Sequence, residues 1–445
     1  MLLPKAGPFA GRTAQMSVEL RKDAAAPLGA GRPQRIHLVW TRIIDDIPMA
    51  GRIKVAQGVR RALREAGFSI TESTIRPLTK GPTLRRLAAA FGGLLAWSAR
   101  GRLMPLQCLL FGDRAEARRV IAELPDDCDA VYLDGVRCLQ VLEALRRRRP
   151  GLAILTDLDD LMSRRMSLLL QLDQPPSTGY MKGSLPGFVD RLIAWRWLSR
   201  LLLRYEAASL RRVEKHFARH SDATVLISSA DAAELRRLAP GADVRAIAIA
   251  EKVRRDNARL APGPLRFIFV GTDALRQNQL SIDALVDLWR RQEIPTPLVI
   301  YGLQHRQLDL PANVLMPGYA ESIDDIYDGR SVLVSPSFIA GGLKTKVLEA
   351  FAYAAPVIGN RVTFESIDIG ADYPLLLETE DKMLSLLRSP ERFRPDFERA
   401  AAIGLDLVRQ RHDPTQIGTS WAEAAHGAIA RSQVLVYKHR NRGSI

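Results

Sequence analysis

The chain has 445 residues, of which 47% are hydrophobic and 25% are charged. This length favours two domains, and the composition excludes disordered, collagen-like and polytopic membrane proteins. The net charge of +15 indicates an anionic partner, such as nucleic acid, an acidic lipid surface or a phosphorylated small molecule, although an arginine-rich genome gives the same charge without any partner.

The first 33 residues are rich in Gly, Ala, Pro and Arg without apolar periodicity, so we predict a disordered leader at 1–33. They lack the apolar core of a signal peptide, and no stretch reaches the roughly 20 apolar residues of a spanning helix. Cys108, Cys128 and Cys138 form no CxxC pair and have no histidine at metal-ligand spacing, which favours neither disulfides nor zinc. We expect a cytoplasmic protein.

Strand and helix patterns alternate from Arg35 onward. An apolar strand at Ile36–Thr41 precedes a helix pattern that ends at Gly67 and a strand at Phe68–Thr74. Further strands are predicted at Asp129–Gly135, Leu152–Asp160 and Asp222–Ser228, with helices at Val136–Arg149 and about Gly187–Arg219. This order predicts a parallel sheet with helices on its faces.

The same order restarts after a stretch rich in charge, Pro and Gly. Strands are predicted at Leu265–Gly271, Pro297–Gly302, Ser331–Ser337 and Ala355–Asn360, and helices at Leu280–Gln292 and Leu343–Ala354. We therefore predict an α/β fold with domains at 34–250 and 265–414, a linker at 251–264, and a C-terminal helix and tail at 415–445. A ligand should bind between the domains, at the carboxyl ends of the strands.

The segment after the strand Ser331–Ser337 carries the clearest chemical signal. Gly341 and Gly342 precede a helix whose first turn is predicted to contain Lys344 and Lys346. Glycines there let the backbone approach a ligand, and the free N–H groups of a helix start bind phosphate oxygens. Because positive charge in a first turn opposes the helix dipole, the two lysines indicate a diphosphate site. Glu349 could accept hydrogen bonds from sugar hydroxyls.

A purely structural alternative stays open for this segment. The helix could be buried, with both lysines extending to solvent and Glu349 at its rim.

Ser335–Asn360, SPSFIAGGLKTKVLEAFAYAAPVIGN, resembles the donor-binding signature of group 1 glycosyltransferases, family 4 in the carbohydrate-enzyme classification, in a subgroup similar to bacterial polysaccharide-biosynthesis enzymes. The resemblance rests on Pro336, Gly341, Gly342, Lys344, Lys346, Leu348, Glu349, Ala350, Pro356 and Val357. It implies the GT-B fold, in which two Rossmann-like domains face each other across a cleft, with the acceptor on the first domain, the nucleotide sugar on the second, and a last helix that crosses back to the first.

The resemblance also implies roles for single residues. Lys344 and Lys346 would lie near the donor diphosphate, and Glu349 would hold the nucleotide ribose. Many family members have a glutamate that touches the donor sugar at the position that Gly341 occupies here. The family retains anomeric configuration and needs no bound metal or cofactor, so we expect a nucleotide-sugar co-substrate alone.

Two other segments are similar to the family's cleft loops. Phe269–Leu288 matches at Gly271 and Asn278, which are predicted to bind the donor, although helix capping is an alternative for Asn278. The sequence AGRIKVAQGVRRAL resembles the first loop of the family, which makes Gly51, Arg52 and Lys54 candidates for the opposite cleft wall. An exposed basic helix start is the alternative there.

Aspartates cluster where the strand Leu152–Asp160 ends. LTDLDDLMSRR resembles the family's acceptor-facing loop, and we predict Asp157, Asp160 and Arg164 at this site. A carboxylate there could orient an acceptor hydroxyl or take its proton, so Asp157 and Asp160 are candidate catalytic residues, together with Lys346 at the leaving diphosphate. Paired carboxylates also suit magnesium. The resemblance favours basic side chains at the leaving group, and we expect no metal site.

Basic amphipathic stretches occur in Leu84–Phe111 and Asp190–Arg219. The second places Arg196, Arg200, Arg204, Arg211 and Lys215 at helical spacing, with Trp195, Leu198 and Leu202 on another face. Such stretches suit an anionic membrane surface, where a lipid-linked acceptor would be found. A core helix with a solvated charged face is the alternative.

Together these features predict a glycosyltransferase that transfers a sugar from a nucleotide sugar to a saccharide or lipid-linked acceptor in surface polysaccharide or glycolipid biosynthesis, at the inner face of the plasma membrane. A non-catalytic nucleotide-sugar-binding protein on the same scaffold is the alternative, and Gly341 favours it. Nucleic-acid binding has only the charge in its favour, and an NAD-dependent oxidoreductase would need a G-x-G-x-x-G turn that neither first loop has.

Overall fold

A six-stranded parallel sheet forms the first half of the computed structural model. The model describes residues 32–44, 51–78, 104–173, 195–339, 342, 344–377 and 379–442, with a few positions between 88 and 97. Almost all of the predicted leader therefore lies outside the described residues. The strands are β1 (Arg35–Trp40), β2 (Ser69–Thr74), β3 (Ala130–Asp134), β4 (Ala153–Asp159), β5 (Ala223–Leu226) and β6 (Val244–Ala246), in the spatial order β2-β1-β3-β4-β5-β6.

Helices connect these strands and cover both faces of the sheet. They are α1 (Gly51–Glu65), α2 (Leu106–Leu109), α3 (Arg114–Ala122), α4 (Leu139–Arg148), α5 (Met162–Gln171), α6 (Arg196–His220) and α7 (Ser229–Leu238). Side chains alternate across a strand, so Ile36, Leu38 and Trp40 enter one buried core and Val39 enters another. Burial on both faces is typical of parallel sheets.

A second parallel sheet of five strands follows. Its strands are β7 (Arg266–Val270), β8 (Leu298–Tyr301), β9 (Val314–Gly318), β10 (Ser331–Val334) and β11 (Val357–Ile358), in the order β11-β10-β7-β8-β9. The helices are α8 (Arg276–Gln292), α9 (Ile323–Ile326), α10 (Thr345–Ala352), α11 (Arg361–Phe364), α12 (Glu380–Arg388), α13 (Arg394–Arg411) and α14 (Pro414–Arg442). The prediction of two doubly wound parallel sheets is confirmed; the domain boundaries stay a prediction.

Elements without clear periodicity are absent from the sequence prediction. Among others it lacks β6, β9, α3, α5 and α7, and it starts α8 four residues late, at Leu280 instead of Arg276. In β9, Val314 is buried whereas Leu315 is exposed, and Pro317 lies next to the end of the strand. A proline inside a short run weakens the strand signal.

The chain passes between the two sheets twice. The first crossing follows β6 and leads to β7, and the second joins α13 to α14, which packs against α1 and sheet strands β3, β4 and β5. The two crossings are hydrogen-bonded to each other: Glu251 N donates to His412 O at 2.8 Å, and His412 Nδ1 lies 2.7 Å from Ile249 O. They therefore run side by side.

Candidate active site

Two lysines lie at the start of α10, beside the carboxyl end of β10. The helix begins at Thr345, so the predicted start at Leu343 is wrong, and Lys344 lies just before the first turn. Its Nζ donates to the carbonyl oxygens of Ile339 at 3.4 Å and Gly342 at 3.3 Å. Lys346, in the first turn, donates from Nζ to Asn278 Oδ1 at 3.0 Å. The two lysines therefore lie at the N-terminus of α10, the end of a helix that attracts anions.

The two ammonium groups are held in an environment that disfavours charge. Burial, with a smaller contribution from the neighbouring Lys344, lowers the pKa of Lys346 to about 7. Burial, together with the nearby Arg165, lowers the pKa of Lys344 to about 8. Lys346 Nζ also lies 3.9 Å from the centroid of the Phe269 ring, and among the described residues it has no carboxylate partner. A bound anion would supply the missing negative charge.

Asn278 links Lys346 to the loop after β7. Its Nδ2 donates to Thr272 O at 2.9 Å, and it lies inside α8, which has Leu275 at its N-cap position. The capping alternative for Asn278 is therefore wrong. Gly271 packs so closely on this amide that a Cβ would lie 2.7 Å from Asn278 Nδ2. A side chain at position 271 would displace this amide, so glycine at this position lets Asn278 contact both Thr272 and Lys346.

Residues of the first half reach across to this region. Lys54, in α1, makes an ion pair with Glu349 in α10. Arg164, in α5, bridges Asp231 at 3.0 Å and Glu365 at 2.6 Å. These contacts place α1 beside α10 and α5 beside the end of α11.

Asp160 and Arg165 lie directly over Gly342. They form an ion pair, and a Cβ on Gly342, whose φ is 69°, would clash with the Arg165 guanidinium. Burial raises the pKa of Asp160 to about 6, although Arg165 opposes the shift. Gly342 therefore allows a close approach between the two halves at the centre of the cleft.

Arg52 is held by three carboxylates instead of facing the cleft. Its Nη2 donates to Asp134 Oδ1 at 2.8 Å and to Asp157 Oδ2 at 2.9 Å, and Nη1 lies 3.1 Å from Asp159 Oδ1. Tyr132 Oη donates to Asp157 Oδ2 at 2.8 Å. The Arg52 guanidinium holds the pKa of Asp134 well below its usual range despite burial. We call Arg52, Asp134, Asp157, Asp159 and Tyr132 the Arg52 network.

This geometry changes the interpretation of Asp157. It is 1% exposed, and its second oxygen accepts from Asp159 N at 2.9 Å, so both oxygens are occupied. The catalytic role predicted for Asp157 has no support in these contacts, which fit a residue that positions Arg52. Guanidinium groups also lie between the carboxylates that the magnesium alternative would need. Among the described residues, no group of three or more His, Cys, Asp and Glu side chains is arranged to hold a metal ion.

Two predicted glycines have different outcomes. Gly51 is the first residue of α1, the helix that carries Arg52 and Lys54. Gly341 lies outside the described residues, so its predicted contact with the donor stays a prediction.

A cavity of about 740 Å³ opens beside the Arg52 network, at the carboxyl ends of β1 and β2. The charged and large aliphatic side chains of its wall are Arg42, Arg76, Arg119, Glu72, Glu123, Ile43, Ile44 and Ile75. Arg42 also donates from Nε to Asp134 Oδ2 at 3.2 Å, which connects the cavity to the network. The cavity can take a ligand with both polar and apolar parts.

Sequence reasoning missed three residues of this region. Asp134, Arg165 and Phe269 have no place among the predicted site residues, yet they anchor Arg52, cover Gly342 and contact Lys346. A polar residue at the end of a buried strand, such as Asp134 in AVYLD, is a signal that could have found one of them.

Comparisons with known proteins were made by sequence family and by fold. Residues 264–387 match the family model described as "Glycosyl transferases group 1". No curated protein sequence matches the chain significantly. The matched range contains Gly271, Asn278, both lysines and Glu349.

Solved structures are similar over most of the chain. Sucrose-phosphate synthase from Thermosynechococcus elongatus aligns with a TM-score of 0.60 at 15% identity, over 89% of this chain and 100% of its own. HepE from Anabaena, in complex with UDP and glucose, aligns with a TM-score of 0.55 at 11% identity, over 88% and 99%. The lipopolysaccharide outer core galactosyltransferase WaaB, in its apo form, aligns with a TM-score of 0.52 at 12% identity, over 89% and 99%.

The likeness shows the GT-B fold, and the family match confirms the predicted enzyme class, a glycosyltransferase. No helix among the described residues is long and apolar enough to span a membrane.

Proposed function

We propose that the chain transfers a sugar from a nucleotide-sugar donor, that it is a family 4 enzyme, and that the donor diphosphate binds at Lys344, Lys346 and the start of α10. The observation that carries this proposal is Lys346, a half-buried ammonium that faces an amide oxygen and an aromatic ring. A buried cation without a carboxylate is unfavourable unless a ligand neutralises it. A diphosphate would do so, and the helix N-terminus would add its own attraction for anions.

The remaining site residues have roles that follow from their positions. Glu349 would accept hydrogen bonds from the ribose hydroxyls, after its ion pair with Lys54 opens. As the bond between sugar and diphosphate breaks, negative charge grows on the leaving oxygens, and Lys344, Lys346 and Arg165 would stabilise it. This electrostatic assistance comes from the chain's own side chains, and we propose retention of anomeric configuration without a metal ion.

The acceptor would bind on the first sheet. The cavity at the ends of β1 and β2 has three arginines, three isoleucines and two glutamates in its wall, so it offers charged and apolar contacts to a saccharide linked to a lipid or a phosphate. Asp160, with a raised pKa of about 6, is the carboxylate of the predicted loop that faces the glycine turn. We assign it the role of orienting the acceptor hydroxyl, in surface polysaccharide or glycolipid biosynthesis at the cytoplasmic side of the membrane.

Binding and hydrolysis of nucleotide sugars test the proposal. UDP-glucose is the first donor to test, because structures of HepE hold UDP and UDP-glucose. A panel of UDP-, GDP-, ADP- and TDP-sugars in thermal-shift assays should give stabilisation by at least one donor, since a ligand that binds only the folded chain raises its melting temperature. Absence of stabilisation by every member would contradict the donor site.

Turnover distinguishes an enzyme from the alternative, a non-catalytic binding protein. We expect slow release of the free sugar from the stabilising donor, because water can replace the acceptor. Lys346→Met should weaken both stabilisation at a given donor concentration and release, whereas Asp160→Asn should keep stabilisation and lose release. Stabilisation without release in the unmodified chain, with acceptor-containing membrane extract also inactive, would favour the binding protein.

A further inference from the structure

The outward side of helix α6 carries apolar and basic side chains and no acidic ones. Its outward positions recur at spacings of three and four residues, which places them on one side of a helix. We call this set the basic-aromatic stripe: the exposed Trp197, Leu201, Arg204, Ala208, Arg211, Arg212 and Arg219, with the half-buried Lys215. The two acidic residues of α6, Glu206 and Glu214, are both buried on the side that faces the protein.

Large apolar side chains gather at the N-terminal end of the stripe. Trp195 is 56% exposed, Trp197 63% and Leu201 56%, and the two indole rings lie 6.4 Å apart. Leu172, which follows the last residue of α5, is also exposed. It lies near the start of α6, since the adjacent Asp173 makes ion pairs with Arg196 and Arg200. The other four tryptophans of the chain are buried. Exposure of this kind is unfavourable unless a partner covers it.

We propose that the basic-aromatic stripe docks the protein on a membrane surface rich in anionic lipids. Tryptophan rings prefer the level of the lipid head groups, where the apolar ring and the indole N–H are both satisfied. Arginine and lysine side chains next to them bind lipid phosphates, each with about 1 kcal/mol near an anionic surface. A surface with this charge and these aromatics fits such a bilayer better than it fits a neutral one.

The stripe lies on the helix pair that carries the proposed acceptor loop. Helix α5 begins at Met162, two residues after Asp160. The backbone N–H of Ser163, in its first turn, donates to Glu214 of α6 at 2.9 Å. Trp197 is 17 residues before Glu214, which is about 26 Å along the helix. Docking would hold the cleft beside the membrane, so the lipid-linked class of acceptor is favoured. This last point rests on the proposed function, whereas docking itself does not.

Vesicle binding by the full chain tests the docking. We expect co-sedimentation with vesicles of phosphatidylglycerol and phosphatidylcholine, and at least tenfold weaker binding to phosphatidylcholine alone. The triple variant Arg204→Glu, Arg211→Glu, Arg212→Glu should lose at least tenfold in affinity. The matched control is Arg118→Glu, Arg148→Glu, Arg237→Glu, three exposed arginines on α3, α4 and α7 with the same change in net charge, and it should bind within about threefold of the unmodified chain.

Tryptophan fluorescence locates the contact. Vesicles that contain brominated lipid should quench the emission of Trp195 and Trp197, while the four buried tryptophans keep theirs. Trp195→Phe, Trp197→Phe should abolish the quenching and keep most of the vesicle binding, because phenylalanine is still apolar and aromatic.

Three results would overturn the proposal. The first is an equal loss of vesicle affinity in the triple variant and its control. The second is no binding of the folded chain to anionic vesicles. The third is a dimer in vesicle-free solution that the triple variant disrupts, which would mean that the stripe joins two copies of the chain. Donor stabilisation in the thermal-shift assay would be unaffected in each case, so a failure here is distinguishable from a failure of the proposed enzymatic function.

Discussion

Two half-buried cations, one beside each sheet, have opposite surroundings. Arg52, on the first sheet, is surrounded by Asp134, Asp157 and Asp159, whereas Lys346, beside the second sheet, contacts an amide oxygen and a phenyl ring. Arg52 has its negative charge within the fold, and Lys346 lacks it. The first arrangement stabilises the protein, and the second favours a ligand that brings charge from outside.

The largest expected effect comes from removing Arg52, the cation that has its negative charge within the fold. Arg52→Met would leave Asp157 buried without its cation and Asp134 with Arg42 alone, and breaking a buried pair in this way costs roughly 3–5 kcal/mol. We expect a fall of that size in the free energy of unfolding, measured by urea titration. Arg60→Met, which removes a cation at 3.7 Å from the less buried Glu72, should cost less than about 1 kcal/mol. Equal effects would contradict the structural role of Arg52.

Removing Lys346, the cation without a carboxylate partner among the described residues, should affect donor binding and not stability. Lys346→Met removes a cation whose pKa burial already lowers, so the free chain should be no less stable, yet donor affinity should fall by roughly 10- to 100-fold, from the loss of about 1.5–3 kcal/mol of charged hydrogen bonding. Isothermal titration with the stabilising donor measures this. Lys382→Met, at an exposed lysine of α12, is the control and should bind normally. A destabilised Lys346→Met variant with normal affinity would reverse the comparison.

Donor affinity should depend on pH through both lysines. Their pKa values of about 7 and about 8 in the free site would rise once a diphosphate neutralises them, so binding takes up protons above these values. Affinity should therefore be highest below about pH 7 and fall as the pH rises, by up to about tenfold per pH unit for each lysine. Titration calorimetry in buffers of different ionisation enthalpy counts the protons. A profile that is flat up to about pH 9 would contradict lowered pKa values in the free protein.

The smallest expected effect concerns the ion pair that joins the two sides. Lys54→Met would free Glu349 for the ribose, and a partly exposed pair contributes about 1 kcal/mol or less, so donor affinity should rise by no more than about fivefold. Lys54→Arg should restore the original value. A weaker affinity in Lys54→Met would mean that Lys54 itself contacts the donor.

Long periodic segments of this chain were predictable from the sequence, and the environments of their charges were not. Strands such as β1 and β3 and the helix α10 that follows Lys344 agree with the hydrophobic runs and periodicity of the sequence. The difference between Arg52 and Lys346 depends on residues that are distant in sequence: Arg52 contacts Asp134 and Asp157, and Lys346 contacts Asn278. A single sequence without contact information could not pair them.

The two chain crossings between the sheets have a mechanical consequence. Glu251 and Ile249 of the first crossing are hydrogen-bonded to His412 of the second, so the two connections are joined to each other at one place. Two adjacent connections restrict the rotation of one half against the other more than a single connection would. We therefore expect the relative motion of the two halves to be mainly an opening and closing of the cleft. Burial lowers the pKa of His412, so this hinge has a neutral imidazole at its pivot, and its strength does not depend on a charge that salt could screen.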